Sequence, residues 1–325
     1  MLASPHDRRL AVAVFALAAL DALAQPAAPL TIDLVPERVA ERAWYFRGEA
    51  GMASAANRGF MSNAAFVVTG DGVVVFDALG TPALGRGMVA AIRRVTDQPI
   101  RRVVVSHYHA DHVYGLAPLK AAGAEIWAHR RALGYFASGV AAERLAQRQA
   151  DLYPWVDETT ELVRPDVLVD ADTSFRMGGT TFRIIDTGGA HAPDDIMLLV
   201  EDDRTLFAGD LLFAGRIPFV GNADSAHWLA AIERLIPLAP AVVVPGHGPA
   251  SRDVARDLVT TRDYLAYLRD AMGRAARDLE PFDDAYAKTD WSRFRTLPAF
   301  EPANRINAWG TYLRMEQETL DAGRQ

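Results

Sequence analysis

Short apolar runs recur along the chain, each closed by a turn signal, and amphipathic stretches lie between them. Trp44 to Phe46, Ala64 to Val68 and Val73 to Phe76 read as strands, the last two joined by the hairpin signal Thr69-Gly70-Asp71-Gly72. Residues 83–95 carry helical spacing. Arg101 to Val105, Glu125 to Ala128, Thr181 to Ile185, Thr205 to Phe207 and Ala241 to Val244 are further apolar or β-branched runs, with helical patterns at 129–150 and 225–236 between them. This alternation predicts an α/β sandwich whose internal sheets are covered by helices. After Ser251, an expected N-cap, the residues Val254, Leu258, Leu265, Leu268 and Met272 follow helical intervals. The stretch 281–302 is punctuated by Pro and aromatics, and a last helix is expected over 303–320. The predicted organisation is a catalytic unit over 25–250 and a helical extension, 251–325, packed on it.

The first 24 residues have a different pattern. Arg8 and Arg9 precede an unbroken apolar run, Leu10 to Leu20, and Ala22-Leu23-Ala24 gives a small-x-small cleavage site. Eleven apolar residues fall short of the ~20 that span a bilayer. The expectation is a cleaved signal peptide, export to the periplasm or medium, and no stable membrane insertion afterwards.

Composition narrows the chemistry. Half of the 325 residues are apolar and 23% are charged, which is an ordinary globular balance. The net charge of −7 and a total of two lysines, Lys120 and Lys288, argue against a nucleic-acid surface. Cysteine is absent, which excludes disulfide frameworks, thiolate zinc sites, thiol nucleophiles and iron–sulfur clusters. Any metal must rest on His, Asp or Glu.

The histidines supply such ligands. His107-Tyr108-His109-Ala110-Asp111-His112 follows the strand Arg101 to Val105, so four potential donors occupy six residues. His191, Asp210 and His247 each follow a later strand. Loops that leave the carboxyl ends of neighbouring strands converge on one crevice, so the spacing predicts a shared site. Gly209, Gly246 and Gly248 permit the sharp turns that would aim these donors, and Gly188-Gly189 can do the same for His191. His129 and His227 are expected to be structural or surface residues.

With these motifs the chain resembles the metallo-β-lactamase fold superfamily over roughly residues 40–250, and Val75-Phe76-Asp77 is similar to that family's first motif. The resemblance implies an αββα sandwich with a binuclear metal site at one edge. It implies His107, His109 and His191 on the first metal, Asp111, His112 and His247 on the second, Asp210 bridging, and Asp77 behind them orienting the ligand loop. Imidazole and carboxylate donors suit two Zn2+, with Fe or Mn as the less favoured metals. Two metals ~3.5–4 Å apart can hold a bridging water whose pKa falls towards ~7, and this hydroxide is the expected nucleophile, oriented by the catalytic Asp111.

The Asp210 position resembles glyoxalase II, whereas the lactamases use Cys there. The segment around Asn304, Asn307, Tyr312 and Glu316 looks like exported members associated with sulfur oxidation and quinoprotein dehydrogenases. The implied function is exported hydrolysis of a small-molecule ester, thioester, lactone or amide. Two other readings remain open: a β-lactamase, and a metal-binding accessory protein with periplasmic oxidation-system partners. Phe213, Arg216 and Phe219 are the candidate substrate contacts, with Arg216 as the cation for a substrate carboxylate, and 47–63 is a candidate flap or plain loop.

Overall fold

The structure, a computed structural model, describes residues 29–322; the expected signal segment, 1–24, lies outside them. The first sheet hydrogen-bonds seven strands in chain order: β1 (Glu37–Arg38), β2 (Ala43–Phe46), β3 (Ala64–Val68), β4 (Val73–Phe76), β5 (Ile100–Val104), β6 (Glu125–His129) and β7 (Val167–Val169). It is antiparallel from β1 to β4 and parallel from β4 to β7. The parallel connections need crossovers. These are α1 (Pro82–Val95), then α2 (Ala110–Val113) and α3 (Leu116–Ala121), then α4 (Ala132–Ala137) and α5 (Val140–Leu152).

The second sheet comprises β8 (Thr173–Met177), β9 (Thr180–Asp186), β10 (Ile196–Val200), β11 (Thr205–Phe213) and β12 (Val242–His247), in the order β12-β11-β10-β9-β8. Helix α6 (Ser225–Leu235) makes the crossover between the parallel pair β11 and β12. The chain then forms α7 (Val254–Arg277), α8 (Phe282–Lys288) and α9 (Phe300–Ala322).

Three cores define the layers. Along β4, Val74 and Phe76 point between the sheets, where they join Phe182, Leu198 and Phe207, while Val73 and Val75 point to the outer core under α1 and α3. In the second sheet Ile196 and Leu198 face inward, and Met197 and Leu199 face the core shared with α6, α7 and α9. Strand alternation thus feeds two faces of each sheet, and the result is the expected αββα sandwich. Among the described residues no helix is long and apolar enough to cross a membrane.

Local chemistry explains the element ends. Thr81 caps α1, accepting from Leu84 N at 3.2 Å, and Pro82 sits in the first turn, where its missing N–H costs nothing. The predicted helix at 129–150 is two helices, split at Gly139, whose φ of +79° is left-handed. Asp253, and not Ser251, caps α7, while Ser251 pairs its backbone with Val243. Strand β11 runs on to Phe213, so Asp210 lies inside a strand instead of after one.

Candidate metal centre

Four stretches of chain bring seven donors to one edge of the sandwich. Beyond β5, His107 and His109 precede α2, which carries Asp111 and His112 in its single turn. His191 lies in the loop between β9 and β10, and His247 is the last residue of β12. Asp210 sits where β11 loses register with β12 on both sides of Gly209. Such an irregularity re-aims one side chain out of the sheet alternation. Gly209 has a φ of +53°, and a Cβ on Gly246 would lie 2.0 Å from Asp210 Oδ1. Both glycines are therefore fixed by the seating of Asp210.

The donors fall into three overlapping groups, His107/His109/His191, His107/His112/Asp210 and Asp111/His112/His247, each with ligand atoms within 4.8 Å of one another. Asp210 spans them. Its Oδ2 is 3.4 Å from His191 Nε2 and 4.0 Å from His107 Nε2, and its Oδ1 is 3.2 Å from His112 Nε2 and 3.3 Å from His247 Nε2. Asp111 Oδ2 is 3.3 Å from His247 Nε2 and 3.5 Å from His112 Nε2. His109 turns Nδ1 to within 3.0 Å of His191 Nε2. His129 and His227 stay outside the cluster. His129 Nδ1 accepts from Arg131 N, and His227 is exposed.

Behind the donors lies a set of fixed hydrogen bonds. Asp77 Oδ2 is 2.9 Å from His112 Nδ1, and the same carboxylate accepts from Ser106 N at 2.7 Å and Ser106 Oγ at 2.8 Å. Asp77 reaches back this way because its φ of +61° is left-handed, a conformation that Asp tolerates better than most residues. Ser106 Oγ lies 2.9 Å from His107 Nδ1, and His247 Nδ1 lies 2.8 Å from Met61 O. With the Nδ1 atoms of these three rings engaged, Nε2 is the atom each presents to the cluster.

The electrostatics divide the cluster. Burial holds His107 well below the usual imidazole range and pushes His109 down to about 3, and neighbouring imidazoles act in the same direction. His191 is lowered by burial as well. Burial opposes charge on His112 and His247 too, but Asp210, with Asp111 and others, outweighs it and raises both. Asp210 and Asp111 are held well below the carboxylate range, because His247 and His112 outweigh burial. The first histidine set is thus neutral and ready to donate lone pairs, and the second set balances its acids with imidazole protons that a cation would replace. His107 Nε2, His112 Nε2 and Asp210 Oδ1 are buried and make no hydrogen bond among the described residues. Native proteins rarely leave such atoms unsatisfied, and the donor set fits metal ions of the zinc type.

The sequence did not point to several supporting residues. Asn63 donates to Pro245 O and Gly248 O, each at 2.8 Å, and so clamps the turn that carries His247. Ser62 Oγ donates to Asp111 O. Buried Asp194 and Asp195 hold the ligand loops: Asp194 accepts from Tyr108 N at 3.0 Å, and Asp195 accepts from Ala192 N at 2.7 Å. Two adjacent acids between His191 and the wholly apolar run Ile196–Val200 were the available signal for this pair.

The three candidate substrate contacts take different places. Phe213 is buried and stacks on His247, with ring centroids 4.7 Å apart and planes 5° from parallel, so it backs a ligand. Arg216 is buried and donates to Gly51 O at 2.7 Å, which spends the guanidinium on the chain's own backbone. Phe219 does line a cavity of about 540 Å³ that opens beside His109 and His191, together with Arg144, Ile306 and Arg314. Asn307 of α9 shapes this wall, accepting from Val220 N at 2.7 Å and donating to Pro218 O at 2.8 Å. Residues 47–63 are a bonded turn: Ser54 and Asn57 bond each other, and Trp155 Nε1 donates to Ala55 O at 2.9 Å.

A two-sheet sandwich with a His/Asp cluster at the ends of its strands defines a class of metal-binding fold. The chain belongs to the metallo-beta-lactamase superfamily, whose family model matches residues 57–247. It is 26% identical over 237 residues to a linear primary-alkylsulfatase of Pseudomonas sp. (strain ATCC 19151), a match covering 62% of this chain and 44% of the relative. It is 25% identical to a metallo-beta-lactamase type 2 of Bacillus sp. (strain 170), covering 63% and 70% of the two chains. A hydroxyacylglutathione hydrolase of Francisella tularensis subsp. novicida (strain U112) is 23% identical, covering 56% and 64%. The solved sec-alkylsulfatase from Pseudomonas sp. shares the fold with a TM-score of 0.67 at 18% identity, over 86% of this chain and 50% of that one. The chain therefore spans about half the length of the alkylsulfatases it matches.

Proposed function

We propose that the protein is an exported, binuclear zinc-dependent hydrolase of ester, thioester, lactone or amide bonds in small molecules. The observation that carries this reading is the placement of Asp210, one carboxylate oxygen facing His107 and His191 and the other facing His112 and His247. A carboxylate shared in this way suits two cations, of which His107, His109 and His191 would hold one and Asp111, His112 and His247 the other. Zinc bound there would supply Lewis acidity and bring the pKa of a water towards ~7.

The chain's own groups do the positioning. Asp77 and Ser106 hold the imidazoles of His112 and His107 in one orientation. Asp111, at 15% side-chain exposure, is the carboxylate at the solvent side of its set, where it can accept a hydrogen bond from the attacking water and fix its direction. Arg144 lines the same cavity and forms no ion pair among the described residues, whereas Arg314 is already held by Asp224 and Glu318. Arg144 is thus the cation available to an anionic part of the substrate. The relatives are named as an alkylsulfatase, a metallo-beta-lactamase and a hydroxyacylglutathione hydrolase, so their names support hydrolysis without converging on one substrate. Export is supported by the basic pair Arg8-Arg9 and the apolar run Leu10 to Leu20.

Metal analysis of the mature protein, combined with a panel of a chromogenic cephalosporin, an acyl-glutathione, a lactone, a sulfate ester and a phosphodiester, tests the proposal. Two zinc ions per chain with turnover of an ester, thioester, lactone or amide are expected. One tightly held iron, or inactivity on all members with both metals bound, sinks it.

A further inference from the structure

A second depression, of about 460 Å³, lies between α8 and α9 and is walled by Pro281, Phe282, Ile306 and Trp309. Ile306 is also a wall of the cavity beside His109 and His191, so the two spaces are neighbours across one side chain. The walls are apolar and preformed: Phe282 meets Trp309 edge to face at 4.9 Å, and Trp309 stacks on Tyr312. The two charges at the rim neutralise each other, Arg305 donating to Asp283 at 2.6 Å while its guanidinium covers the Phe282 ring.

Helix α9 has a buried side of small and polar residues and an exposed apolar stripe. Ala303, Asn304, Asn307, Ala308 and Thr311 are buried, whereas Ile306, Trp309 and Leu313 follow one another at helical spacing and remain 52%, 45% and 43% exposed. An exposed apolar stripe of this kind can serve as a binding surface. Its position next to the cavity beside the metal ligands, across Ile306, points to a part of the substrate as the occupant.

We propose that this trough receives an aliphatic chain of the substrate, whose scissile bond lies at the metal centre, and that the enzyme accordingly prefers esters or thioesters of medium-chain acids. The inference rests on the hydrolase reading above. Water adds across the acyl bond, and the fatty acid and the alcohol or thiol leave. The charged Arg144 side of the cavity suits a polar end, and the trough, with no unneutralised charge, suits a chain that carries none. At ~0.8 kcal/mol per buried methylene, two methylenes seated there correspond to roughly ten-fold in affinity.

The test compares p-nitrophenyl acetate with p-nitrophenyl decanoate on the zinc-loaded protein, together with Trp309→Ser, a change of an exposed side chain that lines the trough and not the cavity beside the metal ligands. The wild type should show at least ten-fold higher kcat/KM for the decanoate. The variant should lose about ten-fold on the decanoate through KM and stay within two-fold on the acetate. No chain-length preference, or equal losses on both esters, overturns the proposal. Calorimetric titration with decanoate and acetate below micellar concentrations separates the two readings: decanoate binding weakened ten-fold by Trp309→Ser supports the trough even where neither ester is cleaved, an outcome that counts against the hydrolase alone. Decanoate binding unchanged by the variant overturns the trough, as does a dimer in sedimentation that Trp309→Ser dissociates.

Discussion

Asp77 Oδ2 lies 2.9 Å from His112 Nδ1, and the same carboxylate binds Ser106 through both its N–H and its hydroxyl. One buried acid thus orients two imidazoles of one ligand loop, His112 directly and His107 through Ser106. Asp77→Asn keeps the shape but offers an amide donor where His112 needs an acceptor. Partners of this kind are worth about 10–100-fold in metal affinity. Chelator competition should show that loss, while excess zinc restores most of the turnover; unchanged affinity would remove Asp77 from the site.

Asp210 is the group common to both ligand sets. Asp210→Ala should abolish turnover and lower the metal content below two per chain, because it removes a donor from each set and leaves four imidazoles without their shared acid. His227→Ala is the control. This side chain is exposed, and its loss should alter neither metal content nor kcat. Elemental analysis with parallel kinetics reads both.

Much of the site was legible because ligation needs particular residue types at strand ends, and these can be recognised one segment at a time. The hexapeptide from His107 to His112, with His191, Asp210 and His247, names its own chemistry. The supports do not, because they come from remote chain: Asn63 reaches Pro245 and Gly248 across more than 180 positions. Strand β10 escaped detection because Met197, Leu198 and Leu199 lack the β-branched character of a run such as Val73 to Phe76 and favour helix as much as strand. The partner of Arg216 was not legible for a related reason. A cation near the ligands could face substrate or backbone, and only the fold shows it bonded to Gly51.

That bond is testable. Arg216 is the side-chain link between the segment after β11 and the turn at 47–63, through Gly51 O at 2.7 Å and a longer contact to Met52 Sδ. Arg216→Met retains much of the buried stem and deletes the donors. Hydrogen exchange should rise at residues 48–60, with a global stability loss of about 1–3 kcal/mol from the unpaired carbonyl and the lost charge-assisted bond. Exchange unchanged in that segment would show that the Ser54–Asn57 turn holds itself.

Burial raises the Asp194 carboxyl to about 6, although Tyr108 N–H bonds to it and opposes the shift. The folded value lies above the unfolded one of 3.8, so the native state keeps a proton that the unfolded chain releases. Below pH ~4 both states are protonated and nothing is lost; between about 4 and 6 stability falls, and above 6 the cost is constant, at most roughly 3 kcal/mol. Asp194→Asn retains an acceptor for Tyr108 and removes the titration. In metal-stripped protein its melting temperature should gain on the wild type as pH rises from 4 to 6, then keep that lead. A lead that is independent of pH would exclude Asp194 as its source.

Arg144 offers the clearest test of substrate charge. It lies on α5 beside His109, half-buried, in the cavity shared with Phe219 and Ile306. An anion placed there gains a charge-assisted hydrogen bond, worth about 1.5–3 kcal/mol in a partly desolvated site. Arg144→Gln should therefore raise KM for a carboxylated or sulfated ester by roughly ten- to a hundred-fold and leave a neutral ester of the same leaving group unchanged. Arg144→Lys should recover part of the difference, because the charge returns without the planar fork. Initial-rate kinetics on the paired esters give both comparisons. Equal effects on the charged and neutral esters would mean that Arg144 shapes the cavity rather than reading charge.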